Sequence, residues 1–172
     1  MRNLESCKYT YRHRVAFRYL VEKLIKDYDL KCELRTRAKV HDMDKMCEYL
    51  ILPKDVASHN HRLRSSHHIE SGMDNKTDID LFEMIIDFES AGYTKPDKPL
   101  CAYDFANILL KDGKINSAQY MRLLNIMHYL GIDNSHIVTD DKIGMILVNT
   151  CQPTEEDIEK AIQEYKNNAG QY

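Results

Sequence analysis

The stretch 37-RAKVHDMDKM-46 decides how the chain is read: it sets His41 beside Asp42 and places Lys45 three residues beyond Asp42. Alone the pair is a weak signal. Five further histidines lie within the first 68 residues, His13, His59, His61, His67 and His68, and only His128 and His136 fall outside. Imidazoles and carboxylates gathered in this way are the donors a transition-metal site needs. The remaining chain has to bring them to one point.

With 172 residues, the chain is long enough for one well-buried core and short for two full domains. We therefore expect a single domain over 1–172. A hydrophobic fraction of 43% and a charged fraction of 30% fit an ordinary globular protein rather than a disordered one. No apolar run is long enough to cross a bilayer, and the opening MRNLESCKYTYRHR lacks the apolar segment of a secretory signal. Five scattered cysteines without a CxxC pair argue against a disulfide framework or a zinc knuckle, which points to a reducing cytoplasm. The net charge of −3 hides an asymmetry. Residues 1–70 carry 15 Lys+Arg against 10 Asp+Glu, and residues 71–172 carry 9 against 17. The histidine-rich half is thus also the basic half, suited to an anionic ligand, while the acidic chain as a whole is poorly suited to stable nucleic-acid binding.

Periodicity predicts an all-α protein. A first helix from about Tyr9 to Tyr28 aligns Phe17, Leu20, Val21, Leu24 and Ile25, and the same stripe extended backwards reaches His13. After a polar link, KCELRTR, a second helix is expected from about Thr36 to Leu50 on Val40, Met43, Cys47 and Leu50. His41 and Asp42 lie off that stripe, facing either solvent or an internal polar site. Pro53 opens a third segment; if helical throughout, it places His61, Arg64 and His68 on one face, with His67 one step around. Thr77, with Asp80 three residues on, caps a helix from Asp78 to Ala91 that carries Asp87 at the edge of its apolar stripe and stops at Gly92. TKPDKP reads as a linker. Beyond it lie helices Ala102–Lys111 and Ser117–Leu130, the latter with His128 on an apolar face in a structural role, and a helix capped by Thr154. HIVTDDKIGMILVN, 136–149, is expected to form one short β-hairpin. There is no P-loop, GxGxxG or GxSxG motif.

The order His13, His41-Asp42 with Lys45, His61, His67-His68, Asp87 resembles the HD-domain superfamily of metal-dependent phosphohydrolases. HDMDK is similar to its HDxxK variant, and the intervening His followed by a His-His pair is similar to its multinuclear branches. The segment also resembles small uncharacterised bacterial and phage proteins with an HDxxK and an H-x5-HH segment. The resemblance covers residues 8–95, leaving 100–172 as a helical extension packed on that core. HHIESG lacks the DGxGYP continuation of the cyclic-dinucleotide enzymes, so that substrate is not carried over.

What the resemblance implies is a phosphohydrolase that cleaves a nucleotide or another small phosphorylated metabolite with a metal-activated hydroxide. Two ions of iron, manganese, cobalt, nickel or zinc would be bridged by Asp42. His13, His41 and Asp87 would complete one set of ligands, and His61 with His67 or His68 the other. Lys45 would assist catalysis, and Arg64, Arg37 and Arg62 would meet the phosphate. Two alternatives share the ligand set: a di-iron oxygenase of related fold, and a catalytically silent metal-binding regulator.

Overall fold

Asn3 opens helix α1 (Leu4–Leu24) by accepting the Ser6 amide on its side chain at 3.1 Å. The computed structural model describes residues 3–95, 101–133 and 138–168. Along α1 the buried residues include Cys7, Thr10, His13, Arg14, Phe17, Leu20 and Val21, the three- and four-residue steps of one helical face. The helix starts and ends earlier than its periodicity suggests, because Asp27 caps a separate helix, α2 (Tyr28–Val40), by accepting the Leu30 amide at 2.8 Å. The expected polar link is therefore helical. Its residues are good helix formers, and only Leu34 and Ala38 of α2 are buried, too narrow a face for periodicity to register.

The helix expected over residues 36–50 is broken in two. α2 stops at Val40 and α3 (Met43–Tyr49) starts afresh, with His41 and Asp42 forming the break. α4 (Lys54–Arg64) follows Pro53 and ends before His67 and His68, which lie in the turn beyond it. α5 (Asp78–Thr94) begins with the expected Thr77–Asp80 capping box but runs through Gly92, which is buried inside it. Residues 96–99 of the expected linker, and residue 100 after it, lie outside the described residues. α6 (Ala102–Lys111), α7 (Ser117–Leu130), α8 (Lys142–Thr150) and α9 (Glu155–Asn167) complete the chain.

α1 and α5 lie against each other as the central pair and supply Phe17, Leu20, Val21, Leu81, Met84 and Ile85 to the principal core. Ala106, Leu123, Met127 and Val148 from α6, α7 and α8 join the same cluster. A smaller cluster ties the start of α1 to α3, α4 and α9 through Cys7, Met43, Met46, Ala57, Ile158 and Ile162. The protein is all-α, and no strand occurs among the described residues. The expected hairpin is thus corrected: beyond residues 136 and 137, which lie outside the described residues, the segment forms a 3-10 turn (Val138–Asp140) and α8. Asp141 caps α8 by accepting the Gly144 amide at 3.2 Å, and a short apolar run such as IGMILV fits helix and strand equally well. His128 is exposed rather than part of the core. No described helix is long and apolar enough to cross a membrane.

Candidate metal centre

The break between α2 and α3 is what aims the His-Asp pair. Asp42 takes a left-handed conformation at φ 58°, and it is the only described non-glycine residue with positive φ. Asp tolerates this region better than most residues because its short side chain bonds locally. The turn swings both side chains inward, leaving His41 2% and Asp42 3% exposed. Arg14 braces the break from α1, donating Nε–H to the His41 carbonyl and Nη2–H to the Lys39 carbonyl, both at 2.8 Å. Arg18 adds a bond to the Ala38 carbonyl at 3.3 Å. Together they satisfy carbonyls that the end of α2 leaves without intrahelical partners.

Three carboxylates face this break from α5. Asp80, Glu83 and Asp87 recur at i, i+3 and i+7 and form an acidic stripe beside the apolar one. Asp87 Oδ1 lies 2.7 Å from His13 Nε2 and 3.2 Å from His41 Nε2. Glu83 Oε1 lies 2.9 Å from His41 Nδ1 and 3.1 Å from His67 Nδ1. The turn carrying His67 and His68 is tied down by buried Lys76, whose ammonium donates to the carbonyls of His68, at 2.6 Å, and Ser66, and to Ser71 Oγ at 2.9 Å. From α4, His61 Nδ1 meets Asp44 at 2.9 Å.

These outer bonds assign the tautomers. With Nδ1–H donated to Glu83 or Asp44, the Nε2 atoms of His61 and His67 are left facing Asp42, and His41 Nε2 faces Asp87. His61 Nε2 sits 2.7 Å from Asp42 Oδ1, yet out of line for a hydrogen bond, and His67 Nε2 sits 3.7 Å from the same oxygen. Asp42 Oδ1 and the Nε2 atoms of His61, His67 and His68 are buried with no hydrogen-bond partner. Buried polar atoms of native proteins are nearly always satisfied, and opposed lone pairs at this separation repel unless a cation lies between them. Three overlapping sets, each with donor atoms within 4.8 Å of one another, could hold a metal ion: Asp42, His61, His67 and His68; His13, His41 and Asp42; His41, His67 and Asp87.

The electrostatics favour positive charge at this point. Burial opposes protonation of His41, but Asp42, Asp87 and Glu83 outweigh it and bring the imidazole up to about 10, a charged form whose proton a metal ion would replace. Burial likewise opposes charging His61, which Asp42 and Asp44 raise to about 9. Burial also works against ionising Asp42, Glu83 and Asp87, yet the surrounding cations and imidazoles hold all three carboxyls below the ordinary range. Burial pushes His68 down to about 3, so it presents a neutral imidazole, the form that binds metal.

His13, His68 and Asp87 form part of the floor of a cleft of about 630 Å³. Its basic lining comprises Lys45, Lys54, Arg62, Lys95 and Lys114, facing the stacked rings of Phe88 and Phe105. Of the arginines expected to meet an anion, Arg62 lines this cleft and pairs with Glu70 at 3.4 Å. Arg37 is instead bound to Asp80 at 2.6 Å and Glu83 at 2.9 Å, and Arg64 pairs with Glu48 and Asp44 on the surface. His61 and Arg64 do share α4, but that helix ends before His68, so the expected three-residue face is not formed. Lys45 Nζ lies 3.1 Å from Asp42 Oδ2. His59 is exposed and apart from the centre. Glu83, Asp44, Lys76 and Arg14 were not anticipated; the i, i+3, i+7 spacing of Asp80, Glu83 and Asp87 is a signal that could have revealed Glu83.

Comparison with protein-family models, with curated proteins and with solved structures finds no match for this chain.

Proposed function

We propose that the protein is a metal-dependent phosphohydrolase acting on a nucleotide or another small phosphorylated metabolite. Divalent cations of iron, manganese, cobalt, nickel or zinc would be held by His13, His41, Asp42, His61, His67, His68 and Asp87, with Asp42, common to two of the three donor sets, as the residue two ions would share. The observation that carries this reading is the convergence of four buried, unsatisfied donor atoms, on Asp42, His61, His67 and His68, next to a basic cleft. Nitrogen and carboxylate donors without thiolates suit those metals. The resemblance to the HD-domain phosphohydrolases in the order of these residues points the same way.

Bound cations would supply Lewis-acid polarisation of a phosphoryl group and a water activated near neutral pH. The chain's own contribution is positioning. Glu83 and Asp44 orient the imidazoles, and Arg14 holds the turn that presents His41 and Asp42. Lys45, beside Asp42 and on the cleft wall, donates to a phosphoryl oxygen. Lys54, Arg62 and Lys114 neutralise further negative charge. Phe88 and Phe105 offer an apolar wall for the rest of the substrate.

Elemental analysis of protein purified without chelator, followed by a panel of nucleotides and phosphate esters under several metals, tests the reading. Bound transition metal is expected, with hydrolysis of at least one substrate that disappears in His41→Ala and Asp42→Ala. Metal-loaded protein that cleaves nothing on a broad panel would overturn it. Oxygen consumption with a mixed-valent iron signal would favour the oxygenase instead.

A further inference from the structure

On the opposite side of the His41–Asp42 break from the metal centre, α1, the end of α2 and α9 enclose a second, smaller groove of about 200 Å³. Arg14, Arg18 and Lys39 line it, with Tyr11 and Tyr165 beside them and Glu164 as its one acidic residue. Arg14 is 5% exposed. None of the three cations forms an ion pair with a described carboxylate, although Arg14 and Arg18 lie one helical turn apart on α1.

The end of α2 accounts for part of this charge. Arg14 spends its Nε–H and one Nη2–H on carbonyls, and Arg18 its Nε–H. A helix C-terminus is worth roughly half a negative charge. That half charge and Glu164 together fall short of three full positive charges, one of them on a buried guanidinium. Among the described residues, none accepts a hydrogen bond from Arg14 Nη1.

We propose that this groove binds a small phosphate-bearing anion, at a site separate from the cleft and from the metal centre. Arg14 supplies the buried, planar donor, and Arg18 and Lys39 close around the phosphate from α1 and α2. The proposal does not depend on what the metal centre does, because none of these three side chains is among its donor groups and the test varies only Arg18 and Lys39, leaving in place the Arg14 bonds that brace the turn.

The test is calorimetric titration of the 172-residue protein with pyrophosphate at low ionic strength, where charge screening is weak. Arg18 and Lys39 are exposed, so the double variant Arg18→Ala/Lys39→Ala keeps its fold, which circular dichroism verifies. Wild type is expected to take up one equivalent of pyrophosphate more than this variant. Arg18→Lys/Lys39→Arg retains that equivalent, and so does the cleft variant Lys54→Ala/Lys114→Ala. Equal stoichiometry in wild type and Arg18→Ala/Lys39→Ala, or loss of the equivalent in the cleft variant alone, overturns the proposal.

Discussion

Arg14 Nε donates to the carbonyl of His41 across 2.8 Å, so the helix that carries His13 also holds the turn that carries His41 and Asp42. Neighbouring residues of α1 thereby serve the centre in different ways. His13 reaches Asp87 directly, and Arg14 braces the left-handed turn from behind. Arg14→Lys keeps a charge but cannot span the carbonyls of Lys39 and His41 with one fork. It is expected to lower stability by about 1–3 kcal/mol and to weaken metal retention about tenfold. Thermal unfolding and competition with a chelator measure the two effects. Unchanged retention would mean that the turn holds without the guanidinium.

Glu83 orients two imidazoles at once, and Asp44 orients one from a half-exposed position. Glu83→Gln preserves shape but puts an amide where a carboxylate accepted two N–H bonds. Metal affinity should fall about 10- to 100-fold, and by less in Asp44→Asn. Chelator competition ranks the two variants. Equal, negligible losses would show that the rings are held by packing alone.

Gly144 lies where α8 crosses two tyrosines. A Cβ there would sit 2.5 Å from Tyr93 Cε1 and 2.6 Å from Tyr19 Cε1, closer than real atoms approach. Gly144→Ala should therefore cost about 1–3 kcal/mol through overpacking, while metal content stays at the wild-type level because the site is remote. Denaturant unfolding with elemental analysis checks both halves of the statement.

Asp141 accepts from Tyr93 at 2.8 Å and Tyr19 at 3.0 Å and pairs with Lys23 at 2.5 Å. Burial raises its carboxyl, but Lys23, Tyr93, the Gly144 amide and Tyr19 outweigh burial and bring it down to about 2. A carboxyl depressed on folding contributes its stability above the ordinary pKa, near 4, and loses it as pH falls towards 2. Asp141→Asn should be about 2 kcal/mol less stable than wild type at neutral pH, with the gap closing between pH 4 and 2. Unfolding curves across that interval decide it. A gap constant with pH would assign the loss to packing.

The all-α character and several helix ends were legible in the sequence. Ala102–Lys111, Ser117–Leu130 and the Thr77–Asp80 cap could be placed from spacing and capping residues alone, because both are local. The break at 41–42 was not legible, since Val40, Met43 and Cys47 keep helical spacing across it. What holds the break in place is Arg14, 27 residues away in the chain. The same holds for α8, whose helical state depends on Asp141 capping its first turn.

For the centre, the sequence by itself determined the inventory: His13, His41, Asp42, His61, His67, His68 and Asp87, the right donor chemistry in a basic half of the chain. Tertiary structure alone decided that Asp42 turns inward at φ 58°, that Glu83 and Asp44 set the imidazole tautomers, and that Arg37 and Arg64 are held in ion pairs. The physical reason is distance along the chain. Composition and periodicity report which groups a helix carries, whereas the direction of a buried lone pair is set by partners that meet only when α1, α4 and α5 close around the break.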